Sequence, residues 1–243
     1  MSTEPTNPAA APTIVLVHGA FADSSSWNGV AERLRAQGHP VIAAANPLRG
    51  LDSDAAYVAS VLDSIEGPCV LVGHSYGGSV ITVAAAAKSN VKALVYVAAF
   101  LPDEGESALQ LTDKFPGSTL GPTTRPASYP LPDGGTGTEL YIRQDEFHQQ
   151  FAADVPAATA ELMAVTQRPV ALDALQQPAT ATAWRKVPAF ALVTTEDKNI
   201  PVQAQRFMAE RAGADIVEVS ASHAVSVSLP EVVSDLILRA AEQ

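Results

Sequence analysis

The sequence contains one pentapeptide that could hold a serine nucleophile. Gly73-His74-Ser75-Tyr76-Gly77 matches the pattern G-x-S-x-G, and it stands directly after an apolar run and directly before a stretch of small residues with helical character. The flanking glycines are needed because a side chain at either position would collide with the neighbouring strand or helix. The pentapeptide alone would arise by chance in roughly one chain in twenty of this composition. A phosphate-binding turn is the alternative, but the lysine and the longer loop of a P-loop are missing.

A serine hydroxyl becomes a good nucleophile only when a positioned base takes its proton. Of the five histidines, His223 is the best candidate, because it follows the last apolar run and so lies at the same sheet edge as Ser75. The base in turn needs a carboxylate that fixes its tautomer, and we expect Asp197 in this role. Glu196 and Asp103 are the alternatives. The order Ser, Asp, His along the chain differs from the orders in chymotrypsin and subtilisin.

The other four histidines are predicted to have different roles. His18 follows the first apolar run and is expected to hold a loop, and His39 is expected at the surface of a turn. His74 occupies the variable position before the nucleophile. His148 belongs to a helix of the middle region, where we expect it to be exposed or to line the entrance.

Two backbone N–H groups are expected to receive the negative oxygen that forms when a carbonyl is attacked. Each such donor is worth about 2 to 4 kcal/mol when it is preorganised. One should belong to Tyr76, the residue after the nucleophile, and the other to Ala20, in the loop after the first apolar run. Gly19 allows the chain to bend there and allows a substrate to approach closely.

The elements that must position these residues alternate between short apolar runs and amphipathic helices. The runs are apolar throughout, which indicates strands buried on both faces, that is, a parallel sheet with helices on each side. The sequence therefore predicts an α/β fold with a mainly parallel sheet of about six strands. The predicted strands cover residues 13–17, 40–45, 69–72, 93–97, 188–194 and 216–219.

The rhythm of strand and helix is interrupted in the middle of the chain. We therefore predict a core of residues 13–102 and 187–243, with residues 103–186 inserted as a cap. No comparable strand is expected in the cap, and ten of the 22 residues between 116 and 137 are Pro or Gly, which argues against regular structure there. Residues 1–12 are expected to form a disordered tail. Four cap residues either line the substrate site or only pack the cap onto the core: Phe147, Phe151, Leu162 and Met163.

The composition excludes several classes of partner. The 243 residues carry a net charge of −11, and the longest basic run is the pair Arg185-Lys186, which argues against nucleic acid and anionic membranes. The single cysteine, Cys69, excludes an intrachain disulfide. No apolar run could span a bilayer, and the N-terminus has no signal-peptide pattern, so we expect a soluble cytoplasmic protein. The motifs H-E-x-x-H and G-x-G-x-x-G and clusters of His and Cys are absent, so we expect no metal and no cofactor.

These segments together resemble the α/β-hydrolase superfamily, and within it a small esterase branch with plant methylesterases, hydroxynitrile lyases and related bacterial hydrolases. The resemblance covers nearly the whole chain beyond the tail and is weakest in the cap. It implies an α/β-hydrolase fold, a small-molecule ester as substrate and no cofactor, and a homodimer is an expectation that rests on it alone. The segments that carry it are Val15–Ala20 with Trp27, Gly73–Gly78, Thr195–Lys198 with Ile200-Pro201, and Ser222-His223.

Two departures separate the chain from the lyases of this branch. By the resemblance, those lyases carry Thr where Gly19 stands and Lys where Ala224 stands. We therefore expect a serine hydrolase that cleaves carboxylic esters of small to medium apolar substrates through Ser75, His223, Asp197 and an acyl-enzyme. The alternatives are a receptor-like hydrolase with little turnover and a cofactor-free perhydrolase or lyase activity.

Overall fold

A computed structural model of the protein describes residues 11–243. Most of the predicted tail, residues 1–10, lies outside the described residues. Within residues 11–243 the chain forms nine strands: β1 (Thr13–Val17), β2 (Val41–Ala44), β3 (Cys69–His74), β4 (Val91–Val97), β5 (Thr124–Pro130), β6 (Thr136–Ile142), β7 (Val170–Ala171), β8 (Ala189–Thr194) and β9 (Asp215–Val219). The same residues form eleven α-helices: α1 (Asn28–Ala36), α2 (Leu51–Asp63), α3 (Tyr76–Ala84), α4 (Ala108–Asp113), α5 (Leu120–Thr123), α6 (Gln144–Phe151), α7 (Ala157–Thr166), α8 (Leu172–Gln176), α9 (Val202–Arg211), α10 (Val225–Ser228) and α11 (Pro230–Ala241).

Six of the strands form one parallel sheet in the order β2-β1-β3-β4-β8-β9. The prediction of an α/β fold with about six strands is confirmed. Side chains alternate across each strand, so Ile14 and Leu16 of β1 pack in the core beneath α1 and α11, whereas Val15 and Val17 pack beneath α2 and α3. The two faces are thus both covered, which is why these runs are apolar at every position.

A second, antiparallel sheet of β5, β6 and β7 lies in the middle of the chain. The expectation that residues 116–137 contain no regular structure is therefore wrong. Strand β5 contains Pro126 and Pro130, but it is an edge strand and its residues are mostly exposed. An edge strand leaves the N–H groups of one side unpaired in any case, so proline costs it no ladder hydrogen bond there.

Residues 103–186, which we call the cap segment, lie between β4 and β8 and contain α4 to α8 and β5 to β7. Their assignment as an inserted cap stays a prediction. The segment contacts the core through the backbone, where the Ala171 N–H donates to the Leu48 carbonyl at 2.9 Å. It also contacts the core through an ion pair, in which Arg49 Nη1 lies 2.6 Å from Glu139 Oε2. Within residues 11–243, no helix has the length and apolar character that crossing a membrane requires.

Candidate active site

Ser75 stands on a strained turn between β3, which ends at His74, and α3, which begins at Tyr76. Its φ of +54° and ψ of −125° lie outside the ordinary regions for a residue with a side chain. Such strain persists only where the surroundings hold it in place. Here the Ser75 N–H donates to the Val97 carbonyl at 3.2 Å, and the Ser75 carbonyl accepts from the N–H of Gly78 at 2.9 Å and of Phe100 at 3.2 Å.

The glycines of the pentapeptide are needed because the backbones approach very closely. A Cβ on Gly73 would lie 2.6 Å from the carbonyl oxygen of Gly77, in the first turn of α3. A Cβ on Gly77 would be closer still to the carbonyl oxygen of Val17 in β1. The collision with a strand and a helix, which the sequence predicts, is thus the physical reason for both glycines.

His223 and Asp197 are in direct contact. His223 Nδ1 lies 2.7 Å from Asp197 Oδ2, and both side chains are buried, with 1% and 0% of their surface exposed. Because a carboxylate can only accept, the proton of the imidazole belongs on Nδ1, and Nε2 keeps its lone pair. An imidazole in this tautomer can accept a proton from a neighbouring hydroxyl.

Asp197 is fixed by several donors besides His223. Its Oδ1 accepts from the N–H groups of Asn199 at 2.7 Å and Ile200 at 3.0 Å. Its Oδ2 accepts from Gln205 Nε2 at 2.9 Å and from Thr194 Oγ1 at 3.1 Å. The carboxylate thus cannot rotate without breaking bonds at both oxygens.

Gln205 is a residue of this site that the sequence analysis missed. It is buried on α9, and its Oε1 accepts from the Thr194 N–H at 3.1 Å while its Nε2 also donates to the Ile200 carbonyl at 3.0 Å. The one available signal is its place in the helix, since it lies beside the buried Ala204 and one turn before the buried Ala209.

Ser75 and His223 both line one cavity, which is described below. Within residues 11–243, no hydrogen bond joins Ser75 Oγ to His223. The two side chains share a cavity, but the hydrogen bond between hydroxyl and imidazole is not formed in this structure. Such contacts are often long in unliganded enzymes and shorten when substrate binds. The ring of Phe151 packs edge-on against His223 with 4.9 Å between the ring centroids.

The two alternative carboxylates lie elsewhere. Glu196 is exposed, and its Oε1 accepts from Thr195 Oγ1 at 3.3 Å. Asp103 forms an ion pair with Arg185 at the surface. The Arg185 guanidinium lowers the pKa of the Asp103 carboxyl, mainly through their hydrogen bond. Of the three candidates, only Asp197 contacts His223.

His18 is fully buried and holds the loop after β1. Its Nε2 accepts from the Asn46 N–H at 3.1 Å, so the proton is on Nδ1, which donates to the Gly19 carbonyl at 2.9 Å. Burial lowers the pKa of His18 to about 4. The residue is therefore neutral at pH 7 and acts on the loop as the sequence analysis expects.

The remaining three histidines each contact a backbone carbonyl. His74 Nε2 lies 2.8 Å from the carbonyl of His223, and burial holds the pKa of His74 well below its usual range. His39 Nδ1 lies 3.0 Å from the Pro12 carbonyl. His148 Nε2 lies 2.9 Å from the Val155 carbonyl, and His148 is half-buried in the cap segment rather than at the entrance of the cavity.

The two expected oxyanion donors lie beside Ser75. Ala20 and Tyr76 both line the same cavity, and Tyr76 is the first residue of α3, where an N–H has no acceptor within its helix. In residues 11–243, no backbone carbonyl accepts from the Ala20 N–H. The Gly19 carbonyl and the Ala20 N–H belong to the same trans peptide group and point in opposite directions, so the Ala20 N–H points away from His18.

The cavity over Ser75 has a volume of about 400 Å³, and its walls are mostly apolar. They come largely from the cap segment and include Leu109, Phe115, Leu120, Leu140, Leu172 and Leu175. The sequence does not decide whether Phe147, Phe151, Leu162 and Met163 line the substrate site, and in the structure none of the four lines this cavity. Phe147 and Phe151 are buried and stacked with 5.0 Å between ring centroids, and Leu162 is 66% exposed.

Asn199 is the main polar group that the sequence analysis missed in the cavity wall. It is buried, and its Oδ1 accepts from Gln150 Nε2 at 2.7 Å. Gln150 is fixed in this orientation, since its Nε2 also donates to the Lys198 carbonyl at 3.0 Å. Among the described residues, Asn199 Nδ2 has no hydrogen-bond partner.

In the described part of the chain, no group of three or more His, Cys, Asp and Glu side chains is arranged to hold a metal ion. The polar groups around Ser75 combine a hydroxyl that lines the cavity, a buried imidazole, a fixed carboxylate and two N–H groups, which is what acyl transfer requires.

Comparison with known proteins bears on the family and the fold of the chain. The profile described as "Alpha/beta hydrolase family" matches residues 14–236. Methylesterase 1 of Arabidopsis thaliana is 26% identical over 94% of this chain and 95% of its own length. Pyrethroid hydrolase of Sphingobium wenxiniae is 28% identical over 92% of this chain and 85% of its own length. The crystal structure of polyneuridine aldehyde esterase superposes with a TM-score of 0.82 at 23% identity, over 94% of this chain and 98% of that one, which shows a shared fold.

Proposed function

The chain belongs to the alpha/beta hydrolase family, and on that basis we propose that it is a carboxylic ester hydrolase that acts through Ser75, His223 and Asp197. The observation that carries the proposal is the contact of 2.7 Å between His223 Nδ1 and Asp197 Oδ2, in a cavity that Ser75 also lines. A fixed carboxylate, an imidazole and a strained serine in one cavity are the parts of a serine esterase.

The names of the relatives support the type of reaction. Methylesterase 1 and pyrethroid hydrolase align over nearly the whole chain. A carbendazim hydrolyzing esterase of Nocardioides is 35% identical over 41% of this chain. All three names denote hydrolysis, and two of them denote esters. Their different substrates do not select one ester for this protein, so its substrate class must come from the cavity.

The first half of the reaction forms an acyl-enzyme. Ser75 Oγ attacks the acyl carbon while His223 Nε2 takes the hydroxyl proton. The resulting imidazolium is stabilised by Asp197, whose oxygens are already held by neighbouring donors. The new negative oxygen accepts from the N–H groups of Ala20 and Tyr76, and His223 then gives its proton to the leaving alcohol.

The second half returns the enzyme to its starting state. A water molecule gives a proton to His223 Nε2 and attacks the acyl carbon of the Ser75 ester. The same two N–H groups stabilise the second negative oxygen. Collapse of this intermediate releases the carboxylic acid and restores the Ser75 hydroxyl. No other group is needed, since each proton that leaves one oxygen is delivered to the next by His223.

The cavity favours uncharged esters of small to medium size. A volume of about 400 Å³ is in the lower part of the range for small-molecule sites. Among the described residues that line it there is no Lys or Arg, and the one carboxylate besides the reacting groups is Asp113, an exposed residue. An anionic substrate would find no counter-charge here, whereas apolar acyl or alcohol groups would bury against the leucines of the cap segment.

The structure gives a physical argument against the lyase alternative. A Cβ on Gly19 would lie 2.6 Å from the Cβ of Ser75, so the Thr of the lyases has no room with the backbone in this position. Ala224 likewise supplies no positive charge after His223. The receptor and perhydrolase alternatives are separated from ester hydrolysis by turnover, because a receptor binds without multiple turnovers and a perhydrolase needs peroxide.

The test is hydrolysis of the p-nitrophenyl esters of acetate, butyrate and octanoate by the wild type and by Ser75→Ala. Removing the nucleophile of a working triad lowers kcat by up to ~10⁶-fold. We expect turnover of the two shorter esters, much slower turnover of octanoate, and loss of all three activities in the variant. Equal turnover by a folded Ser75→Ala variant would refute the role of Ser75.

A further inference from the structure

A carboxylate of the cap segment binds the loop that carries His223. Asp154 lies between α6 and α7, and its Oδ2 accepts from the Ser222 N–H at 3.0 Å. Its other oxygen, Oδ1, accepts from the Ser222 hydroxyl in a short hydrogen bond. Asp154 therefore binds the residue directly before His223 at two atoms.

The same contacts continue to the residue after His223. Because the Ser222 hydroxyl donates to Asp154, its oxygen is free to accept, and the Ala224 N–H lies within 3.3 Å of it. The Ala224 N–H also donates to the Phe151 carbonyl at 3.0 Å. His223 is thus bracketed on both sides by groups of residues 151–154, and the Phe151 ring packs against its imidazole.

Apart from residues 151–154, the side chains that hold His223 are Asp197 and His74, whose ring centroid lies 4.7 Å from that of His223. The His223 imidazole makes one side-chain hydrogen bond among the described residues, to Asp197, and its backbone carbonyl is bound by His74. The hydrogen bond to Asp197 sets the tautomer and one end of the ring. The distance from Nε2 to Ser75 is then set by the backbone of the loop, which Asp154 holds.

We propose that Asp154 is a positioning residue for the catalytic base: it holds the loop of His223 at the distance from Ser75 that proton transfer needs, and so makes catalysis depend on the cap segment being in place. The inference rests on the proposed function. Asp154 does not line the cavity, so its effect on catalysis passes through His223 alone. Any movement of the cap segment that separates Asp154 from Ser222 removes both of these hydrogen bonds from the loop of His223.

The experiment measures kcat and KM for p-nitrophenyl butyrate in four variants. Asp154→Ala should lower kcat about 10- to 100-fold, since a displacement near 1 Å of a catalytic group can cost that much, and should change KM less than two-fold. Asp154→Asn keeps an oxygen that can accept from the Ser222 N–H, and it should keep kcat within about five-fold of the wild type. Ser222→Ala loses only the hydroxyl and should give an intermediate loss. Glu161→Ala, which removes an exposed cap carboxylate on α7, is the matched control and should behave as the wild type.

A second readout does not depend on turnover. The proton shared by His223 Nδ1 and Asp197 should give a protected downfield NMR signal, and its exchange with water should be faster in Asp154→Ala than in Glu161→Ala. A kcat for Asp154→Ala within two-fold of the wild type would overturn the proposal, as would equal kcat losses in Asp154→Ala and Asp154→Asn. Failure of the function proposed above would be seen separately, as hydrolysis that survives Ser75→Ala.

Discussion

One methyl group at Gly19 should disable the site without unfolding the protein. A Cβ there would lie 2.6 Å from Ser75 Cβ and 2.7 Å from the His74 carbonyl oxygen, whereas ordinary contacts begin at 3.4 Å. The shortfall is 0.8 Å, so the loop that carries Ala20 and the turn that carries Ser75 must separate by about that amount. A misplacement of about 1 Å can cost 10²-fold in rate. Gly19→Ala should therefore lower kcat/KM roughly 30- to 100-fold.

The stability cost of the same change should be smaller. Forcing an extra methyl into a packed interior costs typically about 1 to 3 kcal/mol. For a chain of this length that corresponds to a fall in Tm of roughly 2 to 12 °C, which leaves the protein folded at 25 °C. Activity should thus fall far more than the folded fraction does.

The assay is hydrolysis of p-nitrophenyl butyrate at 25 °C, with circular dichroism melting of each variant. Gly135→Ala is the matched control, because a Cβ in that hairpin turn meets first only the end of the Asp133 side chain, at 3.1 Å, which can rotate away. If Gly19→Ala kept kcat/KM within three-fold of the wild type, the loop would have room for a side chain. The threonine of the lyases would then also fit at this position, and the oxyanion site would not depend on close packing between Gly19 and Ser75.

Two further predictions concern buried groups around the site. Gln205→Leu leaves the Thr194 N–H without its acceptor and Asp197 with one donor fewer. We expect the free energy of unfolding to fall by about 2 to 4 kcal/mol in denaturant melts, and kcat to fall about ten-fold in ester assays. An unchanged kcat would contradict the role of Gln205 in holding Asp197. Burial lowers the pKa of His18 to about 4 from 6.5, so the unfolded chain binds more protons between these values, and stability should fall by on the order of 3 kcal/mol as the pH drops from 6.5 to 4. In His18→Gln, this part of the dependence of the unfolding free energy on pH should be lost, while the buried His74 contributes in the same direction in both proteins. If the unfolding free energies of the two proteins changed equally with pH, His18 would not bind a proton on unfolding.

The parts of the fold that the sequence predicts correctly are those set by short-range patterns. Each strand of the parallel sheet is a short apolar run, and the nucleophile turn is a pentapeptide with its strand and helix beside it. Ser75, Asp197 and His223 converge because the carboxyl ends of parallel strands meet at one edge of the sheet. The sheet edge and the chain order do not separate Asp197 from its neighbour Glu196, and only the contact of 2.7 Å between His223 Nδ1 and Asp197 Oδ2 does so.

The parts that the sequence misses depend on contacts between distant segments. Strand β5 is exposed and contains proline, so nothing in its composition distinguishes it from a loop. The bond from Ser222 to Asp154 spans 68 positions, and its two residues are each ordinary surface types. The cavity walls are missed for the same reason: Phe147 and Leu109 are both apolar cap residues, and only the tertiary structure decides which of them faces Ser75.

The central claim, that Ser75 is the nucleophile, is tested most directly by covalent labelling with diethyl p-nitrophenyl phosphate. We expect each molecule of enzyme to release one p-nitrophenolate and to gain one diethylphosphoryl group on the peptide that contains Ser75, with loss of ester hydrolysis in step. Ser75→Ala should remain unlabelled. A label on any other residue, or full inhibition without a label on Ser75, would contradict the account.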